Sequence, residues 1–140
     1  MKKAPPRRPL LLAASLVLLG ACADAPTQAR PCELPETTIA PSVIAPLTEA
    51  HIRAGLEDAA TRLVPVVLPT ADIDALRREL TSASLSLAST EPSQLCRALV
   101  ASRGMVDRAP ERTESAAERT VLRLVVDIAI TFVAHHTRSE

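Results

Sequence analysis

From Thr48 onward, apolar residues return at helical spacing, broken by proline and by short polar stretches. Ile52, Leu56, Ala59 and Leu63 form one stripe, with Thr48 placed to cap it and Glu49–Arg53 and Asp58–Arg62 placed as i,i+4 ion pairs. Pro65 should end or kink this helix, and Pro69 closes the connection. Thr70 is placed to cap a second helix, with Asp72 and Asp74 in its first turn and an apolar face of Ile73, Leu76, Leu80, Ala83 and Leu87. Serines at 82, 84, 86 and 89 weaken its C-terminal half. A third, short helix begins near Thr90, has Pro92 in its first turn, carries Leu95, Cys96, Leu99 and Val100, and ends at Gly104 or Pro110.

The last segment, VLRLVVDIAITFVA, fits two periods. As a strand, Leu122, Leu124, Val126, Ile128, Ile130 and Phe132 alternate. As a helix, Arg123, Asp127 and Thr131 fall on one polar stripe and nearly every other side is apolar. A strand needs a partner, and the chain offers only Leu63–Leu68, which Pro65 breaks, so helix is the expectation. Ser115-Ala116-Ala117-Glu118 reads as its capping box. A helix apolar on so many sides belongs at the centre of a bundle. Fourteen residues interrupted by Arg123 and Asp127 are too short and too charged to cross a bilayer.

Ahead of the helices, prolines at 26, 31, 35, 41 and 46 alternate with Ala, Thr and Ser, so residues 22–46 read as an extended tether. The fold expected is all-α: a small bundle of about four helices over residues 47–140, carried on that Pro-rich tether.

At the start of the chain, Lys2, Lys3, Arg7 and Arg8 precede the uncharged run from Leu10 to Leu19. A basic region followed by a short apolar run is the pattern of an export signal; ten apolar residues rise only about 15 Å as a helix, half the hydrocarbon thickness. The run ends in Leu19-Gly20-Ala21-Cys22, which resembles the lipobox of bacterial lipoproteins. The resemblance covers these first 22 residues alone. It implies that residues 1–21 are a signal peptide, that the Cys22 thiol takes a diacylglycerol, and that the membrane is a partner through that lipid. It also implies a cell-envelope location facing the periplasm. In lipoproteins of two-membrane bacteria an aspartate directly after the acylated cysteine favours the inner membrane; here that place is Ala23, with Asp24 one step later, so the outer membrane is favoured. Arg7-Arg8 loosely resembles a twin-arginine signal, and the export route stays open between the two systems.

Without residues 1–21 the chain is 119 residues, one domain's worth, with twelve arginines, no lysine and sixteen acids, a balance of −4. That sign argues against nucleic acid as a partner. Phe132 is the only aromatic residue, which argues against sugar clefts, single-strand platforms and aromatic cages. With Cys22 acylated, Cys32 and Cys96 are an even pair for an oxidising compartment, and one bridge between them is expected. It would close a 65-residue loop, worth up to roughly 4 kcal/mol in the chain-entropy picture.

No spacing of His, Cys or acids matches a metal site, and no cofactor is implied. His135 and His136 are adjacent, so on a helix they point apart and read as a solvated end; His51, in a first helical turn, has no partner signal for catalysis. There is no G-x-S-x-G, and three glycines in all cannot build a phosphate-cradling loop. The expectation is therefore a non-catalytic envelope interaction or structural module, with Arg123, Asp127 and Thr131 as its contact surface for an envelope protein. A helical carrier of an apolar ligand and an envelope enzyme of unrecognised type are the alternatives.

Overall fold

A computed structural model of the chain describes residues 39–88 and 91–138, all within the compact unit Pro31–Glu140. Residues 1–21, expected to be a signal peptide, and Cys22, Cys32 and most of the proline-rich stretch lie outside the described residues. The elements in order are α1 (Pro41–Ile44), α2 (Glu49–Asp58), a π turn (Ala59–Leu63), α3 (Val64–Val67), α4 (Thr70–Leu85), α5 (Pro92–Arg108), a 3-10 turn (Thr113–Ser115) and α6 (Ala116–Arg138). Among the described residues there is no strand. The all-α expectation holds, and the alternation of Leu122 to Phe132 is incidental to a helix.

Four rods make the bundle. The α2–π–α3 rod packs on α4 and α6, α4 packs on α5, and α5 packs on α6, which closes a square. One contiguous core runs through it, built of Leu, Val, Ile and Ala with Cys96 and Phe132. The packed part begins earlier than the expected start at residue 47. Ile39 packs against the core, α1 sits on α6, and Ile44 is 1% exposed, so residues 39–46 belong to the domain rather than to the tether. The two apolar residues outweigh the proline spacing that suggested an extended chain.

Thr48 caps α2 as expected. Its hydroxyl accepts from the His51 backbone N–H at 3.4 Å, while its own backbone N–H donates to His51 Nδ1 at 3.1 Å. His51 thus fills the place that Glu or Gln takes in a capping box. The ion pairs Glu49–Arg53 and Asp58–Arg62 both form.

Pro65 neither ends α2 nor stops the rod. The backbone widens into a π turn, in which the Val64 N–H reaches back five residues to the Ala59 carbonyl. In the same register residue 65 would donate to Ala60, but proline has no N–H. Arg77 of α4 supplies the missing donor: its Nε lies 3.3 Å from the Ala60 carbonyl oxygen. A lost backbone bond is thereby turned into a link between two helices.

Two helix ends differ from expectation, and at a third the structure decides between Gly104 and Pro110. Thr70 is the first residue of α4 and not its cap; extended Pro69 precedes it and accepts the Asp72 N–H at 2.9 Å. α5 is long, running through Gly104 to Arg108, because the stop signal is Pro110, which holds Ala109 in an extended conformation. Ser115 closes a 3-10 turn and gives its N–H to the Arg112 carbonyl at 3.2 Å, where a capping box would have turned it towards Glu118. The Glu118 Oε2 atom, deprived of that bond, is buried without a hydrogen-bond partner. Nor is α6 enclosed on all sides: Leu122, Val126, Ala129, Ile130 and Val133 face the core, but Val121 and Leu124 are 47% and 49% exposed on the outward side that a square leaves to each helix.

The substitution Arg77→Ala should cost about 1–2 kcal/mol, since it leaves the Ala60 carbonyl without its donor. Combined with Pro65→Ala it should cost less than half of that, because alanine returns a backbone N–H beside the same carbonyl. Urea unfolding of the four proteins checks this; costs that simply add would show that Arg77 does not act through Pro65.

Candidate functional site

The polar residues of α6 do not form a free ridge. Arg123 and Asp127 stand four residues apart on α6, the spacing of an intrahelical pair, yet each reaches α5 instead. Asp127 Oδ1 lies 2.8 Å from Arg103 Nε, with the two side chains 16% and 13% exposed, and Arg123 Nε lies 3.5 Å from Asp107 Oδ1. The Arg103–Asp127 contact is ionic and not an aligned hydrogen bond, since neither atom has a hydrogen-bond partner. Thr131, the third residue of the stripe, donates its hydroxyl to the Asp127 carbonyl at 2.8 Å, within its own helix.

The reciprocal pairing follows from a motif present twice. Arg103-Gly104-Met105-Val106-Asp107 and Arg123-Leu124-Val125-Val126-Asp127 both read R-x-x-x-D, so each helix shows a cation and an acid one turn apart on one face. Set antiparallel, the two motifs pair head to tail. The signal stood in the sequence, but only one half of it falls on the conspicuously apolar segment.

Burial pushes the Asp127 carboxyl above its ordinary value of 3.8; Arg103 and Arg123 pull it down without cancelling the effect, and Asp107 adds to the rise. The folded state therefore holds the Asp127 proton more tightly than the unfolded chain does. This side chain's contribution to stability grows as pH falls through the raised value towards 3.8 and shrinks as pH rises through it.

Beside this quartet, an open cleft of about 610 Å³ is lined by Glu111, Arg112, Thr113, Ala116, Arg119, Thr120 and Arg123. Arg119 is fixed in its wall: one terminal nitrogen donates to the Ala109 carbonyl at 2.7 Å and the other to the Asp107 carbonyl at 2.8 Å, so the guanidinium closes off the C-terminal end of α5. Arg123 keeps 45% of its side chain exposed, the most accessible charge of the expected stripe.

Cys96 is fully buried on α5 and is held in a disulfide. Its partner lies outside the described residues, where the chain offers Cys22 and Cys32. His51 is occupied with Thr48, and His136 packs on Phe132 with ring centroids 4.1 Å apart and its Nδ1 2.9 Å from the Phe132 carbonyl oxygen. Among the described residues no three His, Cys, Asp or Glu side chains gather as a metal site would need, and no helix is long and apolar enough to cross a membrane.

Removing one member of the buried pair should hurt more than replacing both. Arg103→Ala should cost about 3 kcal/mol, whereas Arg103→Met with Asp127→Leu should stay within about 1 kcal/mol of the parent. As pH falls from neutral towards 3.8, the parent should gain stability relative to Asp127→Asn, which cannot titrate. Thermal unfolding across that range reads both, and a parent that loses ground to Asp127→Asn on acidification would reverse the sign of the Asp127 shift.

Compared with family models, with curated proteins and with solved structures, the chain matches none.

Proposed function

We propose that the protein is a lipid-anchored module of the bacterial cell envelope that works by binding and not by catalysis. The observation that carries the reading is the run Leu19-Gly20-Ala21-Cys22 behind a basic and then apolar leader, which is the chemistry a lipoprotein needs at that place. The domain faces the periplasm, with the outer membrane favoured by Ala23, and no cofactor enters the reading. The described architecture is compatible with the role: a small rigid bundle begins at Ile39, seventeen residues after the acylated cysteine. Two fatty chains anchor firmly where one would not, at roughly 0.8 kcal/mol per buried CH₂.

With Cys22 given to lipid, Cys32 is the partner left for Cys96. That bond ties the chain next to the tether onto α5, so that only the residues between Cys22 and Cys32 separate membrane and domain. Of the stripe first suggested for partner contact, Arg123 is the member still open to solvent; Asp127 is engaged with Arg103. The carrier alternative gains no support from the cleft, whose lining is arginine and threonine rather than leucine and valine.

Labelling of growing cells with a fatty-acid analogue should mark the parent and leave Cys22→Ser unmarked and unprocessed; equal label in both would remove the anchor. Thiol titration of the unreduced exported protein should find no reactive cysteine, and Cys32→Ser should release one. Two reactive thiols in the unreduced parent would exclude the Cys32–Cys96 bridge.

A further inference from the structure

We infer that the arginine-lined cleft between the loop after α5 and the first turns of α6 is a binding site for a phosphate-type oxyanion. Three guanidinium groups, Arg112, Arg119 and Arg123, line it against one carboxylate, Glu111, in a chain whose balance without the signal is −4. The cleft thus has the opposite sign to the molecule that carries it. Arg119 and Arg123 stand one turn apart on the same helix, an arrangement of like charges that disfavours the empty site. The Asp107 carboxylate pairs with Arg123, and Arg119 is held by two carbonyl oxygens, which accept its hydrogen bonds without removing its charge.

Those two bonds also settle where Arg119 points, so part of the ordering that binding requires is already in place. Arg112 lines the cleft from the loop leading into the 3-10 turn and is exposed. Thr113, beside it in the lining, adds a hydroxyl donor. Guanidinium forks with a hydroxyl are the donors that suit a tetrahedral or planar oxyanion, and arginine suits it better than lysine because its geometry is bidentate. The cleft is open, so it fits a terminal group such as a phosphate ester on a larger body. A lipid headgroup and a free phosphate compound share that chemistry. The sign contrast rests on the proposed loss of residues 1–21, while binding of a small anion can be read whether or not Cys22 carries lipid, so the two readings fail separately.

The test is calorimetric titration of the full exported chain, purified in a neutral detergent, with inorganic phosphate and with pyrophosphate. Saturable binding is expected, weakened about tenfold by Arg112→Ala and unchanged by Arg62→Ala, which removes an exposed charge from the π turn, outside the cleft. Arg112→Lys should recover only part of the affinity. If phosphatidylglycerol added to the micelles displaces pyrophosphate and neutral diacylglycerol does not, the group bound is a headgroup; if neither displaces it, the ligand is a soluble phosphate compound. Absence of saturable binding, or equal weakening by Arg112→Ala and Arg62→Ala, would overturn the site.

Discussion

A helix end buried inside a bundle leaves carbonyl groups with no donor, and in this domain arginine supplies the donors. Arg53 of α2 reaches the Ser84 carbonyl near the end of α4 at 3.1 Å, Arg77 of α4 reaches Ala60 in the π turn, and Arg119 of α6 takes two carbonyls at the end of α5. Each bond crosses from one rod to the next, and together they brace two sides of the square. A long side chain with several donors in a fixed planar fork serves this purpose, whereas the donors of a lysine ammonium rotate about one nitrogen and are not set apart to match two carbonyls. The absence of lysine after Lys3 has no explanation in the fold as a whole, but at these three positions arginine has a stated task.

What the sequence revealed and what it hid divide along the range of the interactions. Periodicity located the apolar faces, because burial is decided residue by residue along a helix: Ile52 and Leu56, Leu76 and Leu80, Leu95 and Leu99 all face inward. The ion pairs of α2 were legible because both members lie in one helix. Pro65 misled because its usual effect assumes that nothing else can donate to the freed carbonyl, and the donor comes from seventeen residues away. The stretch before Leu47 misled because proline spacing is a local signal, whereas Ile39 and Ile44 find their partners on distant elements.

The cleft was the least legible feature. Its lining joins the loop after α5 to the first turns of α6, and one of its lining residues, Arg119, folds back onto the end of α5. Arg112 and Arg119 read in sequence as ordinary surface charges in a segment rich in acids. The polar stripe of α6 was visible as a stripe but not as half of a pair, since its other half lies on α5, in a stretch whose end was open between Gly104 and Pro110.

The doubled R-x-x-x-D motif also sets how far along each other α5 and α6 lie. A seam of Leu, Val and Ala alone is nearly periodic and would accept a slide of one turn at little loss of apolar contact. The charges do not accept it. Moved one turn in one direction, Arg123 comes to face Arg103; moved one turn in the other, Asp127 comes to face Asp107. Either slip sets like charges together at a largely buried seam, so the quartet admits a single register and penalises its two nearest neighbours. The pairs add little to the depth of the native minimum, but they separate it from the packings that a featureless aliphatic seam would leave close in energy.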